Sequence, residues 1–138
     1  MFKKKELETV YNLIIKKELA QANQILINLR KFGVLHPEYL FLMSLFLMET
    51  GRTYLAIDSL LLSLKVDNTP EVMMKNNFES TSEKLVKKRY ETLISVLEKI
   101  KINDLKNMVI DAMEKNDASE FLGYLSKVMP GIRLKNKL

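Results

Sequence analysis

Few residues of this 138-residue chain could carry chemistry, and they lie far apart in sequence. His36 is the only histidine, so no histidine pair exists to hold a metal or relay a proton. It stands between Leu35 and Pro37, a setting that suits a helix start better than a general base. Asp111 and Glu114 share a helix face at i,i+3 spacing, as paired carboxylates do in acid–base or metal chemistry. Solvation of a surface helix accounts for them better. The chain has no cysteine, which removes disulfides, thiolate zinc sites and cysteine nucleophiles together. It also lacks a Gly-x-Gly-x-x-Gly fingerprint, a P-loop and a Gly-x-Ser-x-Gly elbow. The expectation is a protein that is not an enzyme and carries no metal or cofactor.

One cluster has the chemistry for polyanions. Lys84, Lys87, Lys88 and Arg89, with Lys99, Lys101 and Lys106 downstream, could neutralise phosphates while Tyr90 stacks on a base. Glu83, Glu91, Glu98 and Asp104 interrupt that stripe, and Tyr90 falls on the apolar side of its helix. The net charge of +5 is also spread out: residues 1–69 hold 9 basic and 7 acidic side chains, and residues 70–138 hold 13 and 10. A solvated helix face is the favoured reading, and a nucleic-acid-associated helical protein is the alternative.

The elements that position these residues are helices. Hydrophobic residues make up 47% and charged residues 28% of the chain, a globular balance, with only 4 glycines and 3 prolines to punctuate it. Leu7, Val10, Tyr11, Ile14 and Ile15 recur at helical spacing, as do Ala22, Ile25, Leu26 and Leu29. Gly33, after basic residues, reads as a stop, and His36-Pro37-Glu38 as the next start. That helix runs to about Thr50 and halts at Gly51; another spans 54–66. Residues 71–79 could be a short helix or an ordered loop. Ser80 with Glu83 offers a capping box for a helix burying Val86, Tyr90, Leu93, Leu97 and Ile100. Ile102, Leu105, Val109 and Ala112 mark one more, and Phe121, Leu122, Leu125 and Val128 a last one, ended by Pro130-Gly131. No apolar run approaches the roughly 20 residues that span a bilayer, and no signal-peptide core follows the basic N-terminus. The expected location is cytoplasmic.

The first half repeats itself. A shift of 34 residues carries Leu13 onto Leu47, Lys17 onto Gly51, Ala22 onto Ala56 and Leu26 onto Leu60. Residues 37–70 resemble a tetratricopeptide repeat. Leu40, Met43, Ser44 and Leu47 match its large, large, small, large first helix, and Gly51 its turn. Ala56, Leu60, Ser63 and Leu64 match the small, large, small, large second helix. Residues 3–36 are a looser copy, with Thr9 and Leu29 against the pattern. The resemblance implies an all-α, right-handed solenoid of antiparallel hairpins. Two repeat-like hairpins would occupy 3–68, further helices 69–130 and a basic tail 131–138, in a single domain.

In that family the first helix of each repeat lines a concave groove. The register implies a groove of Lys4, Leu7, Tyr11, Ile14 and Ile15 from the first unit and Glu38, Phe41, Leu45, Met48 and Glu49 from the second. Leu7, Tyr11, Ile14, Phe41, Leu45 and Met48 make it apolar, unlike the carboxylate-clamp members of the family. Such a groove would take an amphipathic helix of another protein, as in a scaffold, an adaptor or a secretion-type chaperone, or a second copy of the chain. The reading preferred on the sequence is that the chain's own C-terminal helices fill it, since so apolar a face does not stay bare in a monomer.

Overall fold

Proline or a side-chain cap marks some of the helix starts. The computed structural model describes residues 4–33, 35–79 and 81–128. Its fold is all-α, with eight helices among the described residues. These are α1 (Lys4–Ile15), α2 (Leu19–Gly33), α3 (Pro37–Glu49), α4 (Thr53–Asp67), α5 (Pro70–Lys75), α6 (Glu83–Lys99), α7 (Asn103–Lys115) and α8 (Ser119–Val128). Pro37 and Pro70 open α3 and α5, where the missing N–H costs nothing. The cap of α6 is Ser82, whose hydroxyl accepts from the Leu85 N–H, rather than Ser80. Ser80 itself, the stop at Pro130-Gly131 and the tail 131–138 lie outside the described residues. None of the described helices is long and apolar enough to cross a membrane.

Helices adjacent in sequence pack in pairs, α1 on α2, α3 on α4 and α6 on α7. Each later pair leans on the one before it: α3 touches both α1 and α2, and α6 touches α4. Helix α5 packs on α4, and α8 on α7. The α3–α4 contact is the closest. Ser44, Ala56 and Ser63 are wholly buried, and their small size lets the helix axes approach. The Ser63 hydroxyl donates to the Pro37 carbonyl at 2.7 Å and Ser59 to the Leu40 carbonyl at 2.6 Å, so the polar atoms brought inside are satisfied.

Two hydrophobic clusters meet at α3. One unites Leu7, Val10, Ile14, Ala22, Leu26 and Leu29 with Tyr39, Leu40, Leu42, Val66, Val72 and Met73. The other unites Phe41 and the α4 leucines with Tyr90, Leu93, Leu97, Val109, Ala112 and Phe121. Leu45 packs against both.

The three pairs turn by the same geometry. Lys17, Gly51 and Lys101 adopt left-handed φ values of 61°, 79° and 61°. At each, that residue's N–H bonds a carbonyl three residues back, and the next N–H bonds one five back: Ile14 and Leu13, Met48 and Leu47, Glu98 and Leu97. This is the Schellman arrangement, which satisfies the last carbonyls of the preceding helix. Only Gly51 adopts it without a Cβ penalty, and a Cβ there would meet nothing within 4 Å. Replacing Gly51 by Ala should therefore cost about 1 kcal/mol through backbone strain alone. Lys17→Gly and Lys101→Gly should each stabilise by up to about 1 kcal/mol. Urea denaturation of the three variants measures both signs.

Candidate binding face and its clasp

The two acidic partners of Arg89 are not local. Helix α6 carries Val86, Arg89, Tyr90, Leu93, Val96 and Leu97 on the side that packs inward, so its guanidinium enters the protein with the apolar stripe. Only 1% of the side chain is exposed. It donates from Nη2 to Glu38 Oε1 at 2.9 Å, near the start of α3, and from Nη1 to Asp67 Oδ2, at the end of α4. Asp67 is 4% exposed and also accepts from the Thr81 hydroxyl at 2.7 Å, which ties down the segment leading into α6. The guanidinium lies 5.9 Å from the Phe41 ring centroid, within cation–π range. Its Nε is buried without a hydrogen-bond partner. Two carboxylates and one guanidinium therefore clasp α3, α4 and α6 at one level.

The neighbouring lysine reaches elsewhere. Lys88 Nζ donates to the Tyr11 hydroxyl at 3.0 Å and sits 4.2 Å from that ring's centroid, so α6 touches α1 across α3. Of the four basic residues read as a polyanion site, Arg89 is buried and Lys88 is half-buried against Tyr11, while Lys84 and Lys87 are exposed. The four do not form one cationic face.

The six apolar residues assigned to the groove divide. Leu7, Ile14 and Phe41 are buried in the chain's own clusters and offer no surface to a partner. Leu7 and Ile14 face α2 and α3, and Phe41 faces α6 and its neighbours, so the protein itself covers much of the groove. Tyr11, Leu45 and Met48 are half-buried. Ile15 is exposed, and Glu38 is committed to Arg89. The Lys4 side chain lies outside the described residues. Of the six, Tyr11, Leu45 and Met48 therefore keep a short strip of accessible surface, with Lys88 beside Tyr11.

The remaining candidates take structural roles. His36 caps α3, its Nδ1 accepting from the Glu38 N–H at 3.1 Å, with its ring edge-on to Phe78 at 4.9 Å. Asp111 pairs with Lys115 at 2.9 Å, while Glu114 faces a cleft of about 360 Å³ between α6 and α7. Val86, Tyr90 and Met113 also line that cleft, with Glu83, Lys87 and Asn116. Among the described residues no three of His, Asp and Glu gather as a metal site would require.

No protein-family model, no curated protein and no solved structure matches this chain.

Removing the guanidinium would leave Asp67 buried and uncompensated. Arg89→Met should cost about 3–5 kcal/mol, and adding Asp67→Asn should restore part of it. A double-mutant cycle in urea reads that coupling. Burial also holds the Tyr39 and Tyr90 phenols above their ordinary value of 10.0, an effect that nearby Asp67 and Asp117 strengthen at Tyr90. Both ionise more readily once unfolded. Their contribution to stability is thus whole below pH 10.0 and fades as pH rises through the higher folded values. An alkaline titration followed by phenolate absorbance, alongside helicity, should show these two tyrosines ionising only as the helices melt.

Proposed function

We propose that this chain is a non-catalytic protein-interaction module of the tetratricopeptide-like kind, one that docks an amphipathic helix of a partner protein. Burial of Ser44, Ala56 and Ser63 at the positions where such repeats need small residues supports the reading, as does the shared turn at Lys17, Gly51 and Lys101. So does the order of packing, each helix pair resting on the preceding one.

The observation that carries the binding role is the half-buried strip of Tyr11, Leu45 and Met48 on first helices of successive pairs. A partner helix would set apolar anchors at i, i+3 and i+7 over this strip, and an acidic residue beside Lys88 would fix its direction. Methionine adapts to varied side chains, which suits a scaffold or a small chaperone that shields an aggregation-prone helix. The strip is short, so the contact is modest in area and its affinity rests on a few residues. Nucleic acid is the weaker reading, because Arg89 and Lys88 are engaged inside the protein.

Met48→Glu and wild type used as baits in cells of the native host test the proposal, with bound proteins quantified by mass spectrometry. A stoichiometric partner on wild type that falls about tenfold on Met48→Glu, with the melting curve unchanged, is the expected result. Equal recovery on both baits, or material that nuclease removes, would overturn it.

A further inference from the structure

The single histidine stands where a change of charge would reach the central helix. His36 is the N-cap of α3, and its Nδ1 accepts the Glu38 N–H at 3.1 Å. A ring nitrogen that accepts from an N–H carries no hydrogen, so the imidazole is neutral and its proton sits on Nε2. Protonation would turn Nδ1 into a donor aimed at another donor. It would also place a positive charge at the positive end of the helix dipole. Both effects oppose the proton in the folded chain, and neither operates once the chain unfolds.

The end of α5 meets the start of α3 at this cap. Helix α5 closes in a left-handed turn at Asn77, φ 56°, where the Asn77 N–H bonds the Met74 carbonyl and the Phe78 N–H bonds that of Met73. The Phe78 ring then stands edge-on to the imidazole at 4.9 Å, and both rings are half-buried. The first turn of α3 also serves its neighbours. Its Pro37 carbonyl receives the Ser63 hydroxyl of α4, and its Glu38 carboxylate receives Arg89 of α6. Cations on the segments that converge here, Arg30 and Lys31 of α2, Lys65 of α4 and Lys75 of α5, add to the cost of a charged imidazole. Of the carboxylates, Glu38 and Asp67 are paired with Arg89, and Glu79 is exposed to screening solvent. Carboxylate, ammonium and guanidinium groups ordinarily keep their charge between pH 5.5 and 7.5, so the one histidine is the side chain that changes there.

We propose that His36 is an acid-sensitive latch, whose protonation uncaps α3 and loosens the α5 turn held against it. The stability that the neutral cap supplies is whole above about pH 6.5 and is lost as pH falls below it, because the unfolded chain binds a proton that the folded chain resists. Since Glu38 and the Pro37 carbonyl lie in the uncapped turn, the loosening extends to the contacts of α3 with α4 and α6. The latch does not rest on the partner-helix reading, since Tyr11, Leu45 and Met48 take no part in it.

Urea denaturation of the full chain at pH 7.5 and pH 5.5 tests it, beside His36→Asn, which keeps a capping oxygen but takes up no proton. Between the two pH values the unfolding constant of wild type should rise about fivefold more than that of the variant. One proton with an ordinary midpoint near 6.5 allows at most about tenfold over that interval. An equal change in the two proteins would overturn the inference, as would a wild type that gains stability relative to the variant at pH 5.5. Should His36→Asn fail to fold, proton NMR of wild type decides, because a single histidine leaves no ambiguity of assignment. The Glu38 amide and the Phe78 ring signals should then move with the same midpoint as the imidazole Hε1. An imidazole that titrates while those signals stay in place would also overturn the latch.

Discussion

A buried guanidinium is costly to desolvate, and here it is held by groups that no local signal links. Arg89 lies 51 residues from Glu38 and 22 from Asp67, so its two ion pairs form only when α3, α4 and α6 already sit in register. Such a clasp adds little to stability over a well-packed apolar substitute, because desolvation offsets most of the Coulomb gain. It discriminates strongly instead. Any slip of α6 by a turn would leave Asp67 buried without a countercharge, while the apolar stripe of Leu93 and Leu97 alone would tolerate that slip. The reach of Lys88 to Tyr11 inherits its position from this pairing.

The elements themselves were largely legible in sequence. His36-Pro37 and Gly51 mark their helix boundaries by mechanisms that operate within a few residues, and the small residues at 44, 56 and 63 betray close helix packing. What could not be read locally was the use of charged residues against type. Lys-Lys-Arg looks like a solvated face, yet Arg89 follows Val86 by three and precedes Leu93 by four, which is the spacing of the buried stripe. That was the one available signal. Its acidic partners carry none. Lys101 likewise gives no sign of the left-handed turn that a glycine would announce, whereas the 34-residue shift sets Lys17 on Gly51.

The candidate face was harder to read than the fold, because groove positions were assigned by register while exposure is decided by what packs next. Leu7, Ile14 and Phe41 carry the same apolar character as Tyr11, Leu45 and Met48. Only the placement of α2, α3 and α6 separates the buried three from the half-exposed three. The alternative that C-terminal helices fill the groove accounts for Phe41, which packs with α6 and its neighbours; Leu7 and Ile14 are covered by α2 and α3 instead, and a partner remains the proposal for the other three.

The apolar character of α3 explains why several exposed apolar side chains stand at helix ends. Tyr39, Leu40 and Leu42 enter one cluster, Phe41 the other, and Leu45 both, so α3 is covered on nearly every side along its first two turns. A helix that is apolar all round must be central, and amphipathic helices such as α1, α6 and α7 must flank it. Covering α3 in this way uses the broad faces of its neighbours. Accessible apolar atoms are then left where the helices stop: Met48 near the end of α3, Ile15 at the end of α1, and Tyr54 and Leu55 at the start of α4. In a chain of this size, packing a central helix and presenting a long open groove compete for the same side chains.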